Sequence, residues 1–90
     1  MSLPAALIKE AKALGFNTQV DVHGHAVHVQ TEVMGREVLE ARTTLTREGR
    51  IVEFERRALG ETLRDLTAIR AAVEAQHRRG LIAARAAGAK

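Results

Sequence analysis

Three histidines, His23, His25 and His28, fall close together and are the side chains most suited to hold a metal ion. The chain has no cysteine, so imidazoles would supply the nitrogen ligands of any such site. They sit in Val20-Asp21-Val22-His23-Gly24-His25-Ala26-Val27-His28-Val29-Gln30-Thr31-Glu32-Val33, where apolar and polar residues alternate on both sides of a His-Gly pair. That is the pattern of a tight hairpin with one dry face and one wet face. A two-residue loop at His23-Gly24 pairs Val22 with His25, Val20 with Val27 and Thr18 with Val29. This register leaves His23 at the turn tip, His25 on the valine face and His28 on the other. The three do not converge, and no metal site and no cofactor are expected.

Acid–base or nucleophilic chemistry has little to work with. Ser2 is the only serine, and no Gly-rich phosphate loop or cysteine nucleophile is present. The carboxylates Glu32, Glu40, Glu53 and Glu55 alternate with Arg42 along wet strand positions, whereas a catalytic pair needs a cleft that separates two pKa values. The expectation is therefore no enzyme and no catalytic residue.

The C-terminal third is more telling. Residues 1–55 carry a charge of −2 and residues 56–90 a charge of +5. On a helical wheel started at Leu59, Arg70 and His77 fall on the apolar stripe with Leu63 and Leu66, where a purely structural helix would use aliphatic residues. One reading lays the Arg70 stem over the sheet edge, with His77 beyond the sheet. The other makes Arg70, His77, Arg78, Arg79, Leu81 and Ile82 a mixed apolar and basic patch for another protein. Nucleic-acid binding through the same basic segment is the alternative. It is weakened by having only Phe16 and Phe54 as aromatics. Metal binding by the hairpin histidines is the second alternative.

The elements that must position these residues follow from local signals. Ser2 caps a helix over 3–14, with Pro4 in its first turn and Gly15 as a left-handed stop. Antiparallel strands occupy 18–57. After the first hairpin, a three-residue loop at Met34-Gly35-Arg36 pairs Thr31 with Leu39, Val29 with Ala41 and Val27 with Thr43. A two-residue loop at Glu48-Gly49 then pairs Leu45 with Val52, Thr44 with Glu53, Thr43 with Phe54 and Arg42 with Glu55. Val20, Val22, Val27, Val29, Leu39, Ala41, Leu45, Val52 and Phe54 point inward, and His28, Gln30, Glu32, Glu40, Arg42, Thr44, Glu53 and Glu55 outward. A long helix over 60–79 carries the stripe Leu59, Leu63, Leu66, Ile69 and Val73, with Glu74 four residues before Arg78 as a favourable pair. Gly80 ends or bends it, and 80–90 is a helical or frayed basic tail. The fold expected is α+β, a four-stranded antiparallel meander in the order α-β-β-β-β-α, with both helices on one face of a single domain spanning 1–90.

No basic leader precedes a long apolar run, and no stretch reaches the roughly 20 apolar residues a membrane span needs. A soluble, cytoplasmic protein without membrane partners is expected, and open sheet edges make homodimerisation compatible with every reading.

The strings His28-Val29-Gln30-Thr31-Glu32 and Gly49-Arg50-Ile51-Val52 resemble a group of small, mostly uncharacterised deltaproteobacterial proteins, including myxobacterial ones, over residues 26–56. In size and style the chain also resembles the RomX type of regulator. The second resemblance implies an exchange-factor component in motility and cell polarity, binding a Ras-like GTPase and its response-regulator partner. With it, the leading expectation is a non-enzymatic regulatory or adaptor module that binds other proteins.

Overall fold

The computed structural model describes residues 4–35, 38–59 and 65–88. Its elements run α1 (Ala5–Lys12), β1 (Gly15–Val22), β2 (His25–Met34), β3 (Leu39–Arg47), β4 (Arg50–Leu59) and α2 (Leu66–Gly88). The strands form one antiparallel sheet in the order β1-β2-β3-β4, with both helices on its inner face. The expected α+β meander is observed.

Both two-residue hairpins form as their turn residues dictate. His23 and Gly24 have φ of 51° and 81°, and Glu48 and Gly49 have 51° and 78°. Two successive positive φ values match the right-handed twist of the flanking strands. The β1–β2 register pairs Val22 with His25, Val20 with Val27 and Thr18 with Val29, as expected.

The β2–β3 register differs by four residues. Thr31 stands opposite Thr43, Val29 opposite Leu45 and Val27 opposite Arg47, because β2 runs on to Met34 and lengthens the connection. An even shift keeps every side chain on its face, so the inward set survives while its neighbours change. At Gly35, φ is 122° and a Cβ would lie 2.0 Å from the Val38 carbonyl oxygen, so only glycine fits.

The β3–β4 pairing begins as expected, with Leu45 opposite Val52 and Thr44 opposite Glu53, and then breaks. A bulge makes Phe54 the extra residue, so Thr43 faces Glu55 and Arg42 faces Arg56. Glu55 therefore turns to the inner face, against its expected outward position. The like charges Arg42 and Arg56 oppose each other on the outer face, where Glu53 meets Arg56 at 2.9 Å and Glu32 stands opposite Arg42.

Helix bounds also move. The Ser2 cap lies outside the described residues, and Pro4 occupies the capping position of α1 without a side-chain bond. Gly15 is no left-handed stop: α1 closes on a tight turn, with the Leu14 N–H donating to the Ala11 carbonyl at 3.0 Å, and Gly15 already belongs to β1. Leu59 is the last residue of β4, opposite Leu39, and Leu63 lies outside the described residues. Asp65 caps α2, its Oδ1 accepting from the Ala68 N–H at 2.8 Å. The helix passes straight through Gly80 to Gly88. Of the described helices, none is long and apolar enough to cross a membrane.

Two apolar clusters lie between α2 and the sheet. One joins Ala11 of α1 with Val33, Leu39, Ala41, Leu59, Ile69 and Val73. The other joins Val20, Val22, Val27, Val29 and Ala84, with Leu45 and Leu81 against them. Each large aliphatic side chain fully buried here contributes about 1.5–3 kcal/mol.

Candidate functional site

A polar seam separates the two clusters. Thr31 and Thr43 are buried opposite each other, and Gln76 and His77 descend onto them from α2. The Gln76 amide donates through Nε2 to the Ala41 carbonyl at 2.9 Å and reaches Thr43 Oγ1 at 3.1 Å and the Glu55 carbonyl at 3.3 Å. Thr43 and Thr31 hydroxyls are 2.8 Å apart. Thr31 Oγ1 lies 2.8 Å from His77 Nδ1, and His77 Nε2 lies 2.9 Å from Thr18 Oγ1.

The Gln76 nitrogen can only donate, so Thr43 accepts from it; the partner left for the Thr43 proton is Thr31, which then gives its own proton to Nδ1. His77 is then the neutral tautomer with its proton on Nε2, given to Thr18. Burial lowers the His77 pKa from 6.5, in keeping with a neutral ring whose face also meets Phe16 at 5.6 Å. Both ring nitrogens are committed. The seam sets the height and rotation of α2 over the sheet.

The residues expected to form one patch on the second helix separate. His77 is in the core rather than beyond the sheet. Arg70 is exposed, its Nε 3.8 Å from Glu74. That contact gives Glu74 a partner other than the expected Arg78. Arg79 reaches to the bulge, its Nη2 and Nε donating to Glu55 at 2.8 and 3.0 Å. Glu55 is further held by Arg57 at 3.3 Å, and these cations, the Arg79 hydrogen bond first, lower its pKa below 4.5. Leu81 packs into the second cluster. Arg78 and Ile82 remain on the exposed face of α2, Ile82 at 64% exposure.

The histidines take separate partners. His25 Nδ1 meets Glu48 at 2.8 Å, His28 donates to the Asn17 side chain on the outer face, and His23 sits in its turn. Among the described residues no three potential ligands gather at one point.

A different surface appears where α2 and β4 diverge. Ala84 closes the helix onto β1 and β2, and β4 is left almost uncovered, with only Glu55 and Leu59 withdrawn from solvent. Val52 is 55% exposed although it is on the inner face. Between them opens a groove of about 560 Å³, lined by Val22, Val27, Leu45, Val52 and Ala84, with Arg47, Glu48 and Arg50 at its rim. Arg47 and Arg50 are exposed and face each other across the last rung of the β3–β4 hairpin, while Glu48 between them is engaged by His25. The rim therefore carries two guanidinium groups and one carboxylate above an apolar floor.

Sequence reasoning placed Val52 inward and so predicted it buried. Arg47, Arg50 and Ala84 carried no signal taken alone. The available clue was length: four inward strand positions near the turns, for a helix that presents only Leu81 and Ala84 there.

Comparison with protein-family models, with curated proteins and with solved structures finds no match to this chain.

Proposed function

We propose that this chain is a non-enzymatic binding module that receives an apolar, acid-flanked segment of another protein in the groove between β4 and the end of α2. The observation that carries the reading is the inner-face pair of half-buried Leu45 and exposed Val52 beneath a rim where Arg47 stands opposite Arg50 in the register. Uncovered apolar surface beside a polar rim is the composition of a protein contact. Like charges directly opposite on a sheet destabilise it, and a carboxylate from a partner would relieve that repulsion at the place where the apolar floor is open. Arg78 and Ile82 on the outer face of α2 offer a smaller second contact.

The resemblance noted above names the first partners to try, a Ras-like GTPase and its response regulator, with the module as an exchange-factor component. Affinity capture with quantitative mass spectrometry on wild type, Arg47→Glu/Arg50→Glu and Arg78→Glu/Ile82→Glu tests the reading, followed by titration of the purified partner. Loss of the specific partner with the rim variant and retention with the helix variant is expected. Equal recovery by wild type and the rim variant would overturn it.

A further inference from the structure

We propose that two copies of this chain join β4 to β4, antiparallel, and so merge their four-stranded sheets into one. The proposal is independent of the groove reading and concerns the sheet edge rather than its inner face.

The two edges of the sheet differ in kind. On β1 the exposed residues are Gly15, Asn17, Gln19 and Asp21, while Val20 and Val22 are buried. That is a polar, guarded edge. On β4 the exposed set includes Ile51 at 69%, Val52 at 55% and Phe54 at 37%. Aliphatic side chains stand exposed on both faces of a ten-residue strand that has no further strand beside it among the described residues. Such a strand is a template for another strand.

The choice of a second copy comes from the charge order about the bulge. Phe54 and Glu55 occupy the rung opposite Thr43, with Arg50–Glu53 on one side and Arg56–Leu59 on the other, so the bulge lies at the strand's midpoint. A two-fold axis through it sets Glu53 opposite Arg56 of the second copy, Val52 opposite Arg57 and Ile51 opposite Ala58, each pair occurring twice. Faces agree at every rung. Glu53 and Arg56 are both outward, in register with Thr44 and Arg42, and Val52 and Arg57 are both inward, in register with Leu45 and Ala41.

Other registers are penalised. A slip of one residue sends side chains to the wrong face. A slip of two rungs, with Phe54 and Glu55 sharing one, sets Arg56 against Arg56 in one direction and Glu53 against Glu53 in the other, like charges directly opposite. The bulge and charges that would guard this edge against an arbitrary strand thus admit its own copy in one register.

Within one copy Glu53 and Arg56 already touch, at 2.9 Å. Pairing across the axis stacks two such couples into a neutral cluster of four charges on the outer face. The test must therefore separate contacts between copies from contacts within one. Sedimentation equilibrium on wild type is expected to show a dimer. Glu53→Arg and Arg56→Glu alone are each expected to weaken it about tenfold or more, since both symmetric pairs turn from attraction to repulsion. An equimolar mixture of the two single variants restores complementarity at both rungs only between unlike copies, and is expected to form a heterodimer. Circular dichroism confirms that these exposed substitutions leave the fold intact. A monomer at all concentrations, a wild-type dimer unmoved by either variant, or a mixture that fails to associate would each overturn the proposal. Because the groove variant Arg47→Glu/Arg50→Glu leaves this central row untouched, failure here and failure of the groove reading are separable.

Discussion

Gly80→Ala is the substitution that most sharply tests how α2 is seated. In an isolated helix the change gains about 0.8–1 kcal/mol of propensity. Here the new methyl would stand 2.8 Å from Thr43 Cγ2 and 3.1 Å from Val29 Cγ1. The Val29 contact relaxes with a shift of a few tenths of an ångström, but Thr43 cannot rotate away. Its hydroxyl is fixed by Thr31 and Gln76 at 2.8 and 3.1 Å, and turning the side chain leaves buried polar groups unpaired at about 1–3 kcal/mol each. Overpacking of this kind costs about 1–3 kcal/mol, so the net expectation is a loss of roughly 1–2 kcal/mol. For a chain of this size that lowers Tm by about 4–8 °C per kcal/mol. Thr43→Ser removes the offending methyl and keeps the hydroxyl. Alone it costs about 1 kcal/mol for the lost methyl contact. Combined with Gly80→Ala it vacates the space the new methyl needs, so the double variant is expected to be more stable than the sum of the singles by about 1–2 kcal/mol. Urea unfolding of the four proteins measures this. A Gly80→Ala variant more stable than wild type, or strictly additive effects, would refute the close approach of α2 at Gly80.

Two further outcomes follow from the polar groups. The His77 pKa is lowered by burial, so above 6.5 folded and unfolded chains are both neutral there and stability is full. As pH falls through 6.5 the unfolded chain takes up the proton first, and stability declines. Wild type is expected to lose more stability than His77→Gln between pH 7.5 and 5.5 in parallel urea titrations, and equal slopes would contradict a buried His77 held neutral. Asp65→Ala removes the cap bond to Ala68 and is expected to cost about 1 kcal/mol, whereas Asp65→Asn should retain most of it; thermal melts followed by circular dichroism distinguish the two.

The hairpins were legible because His23-Gly24 and Glu48-Gly49 carry their backbone conformation in their residue types. The β2–β3 register was not, since shifts by an even number of residues present the same inward pattern and Gly35 suits more than one loop length. The bulge at Phe54 was hidden for a related reason: Val52, Phe54, Arg56 alternate well enough that nothing in the period marks an extra residue. Its consequence, Glu55 turned inward to Arg79, depends on a helix arriving from elsewhere in the chain. His77 was correctly set on the apolar stripe, but its neighbour Gln76 was overlooked. A usable signal existed in Thr31 and Thr43, two hydroxyls at inward positions that require partners when buried. Arg70 falls on the same arc of the helix as His77, yet it is exposed, its Nε beside Glu74. The groove was legible only as a mismatch in length, four inward strand positions near the turns against Leu81 and Ala84, because it is made by where α2 stops covering β4.

The most direct measurement of the central claim is an amide chemical-shift map of labelled protein titrated with a captured partner. Perturbations centred on Val22, Val27, Leu45, Val52 and Ala84, with Arg47 and Arg50 at their border, are predicted. Perturbations confined to the outer face, at Gln30, Arg42 and Thr44, with the groove unmoved, would contradict it.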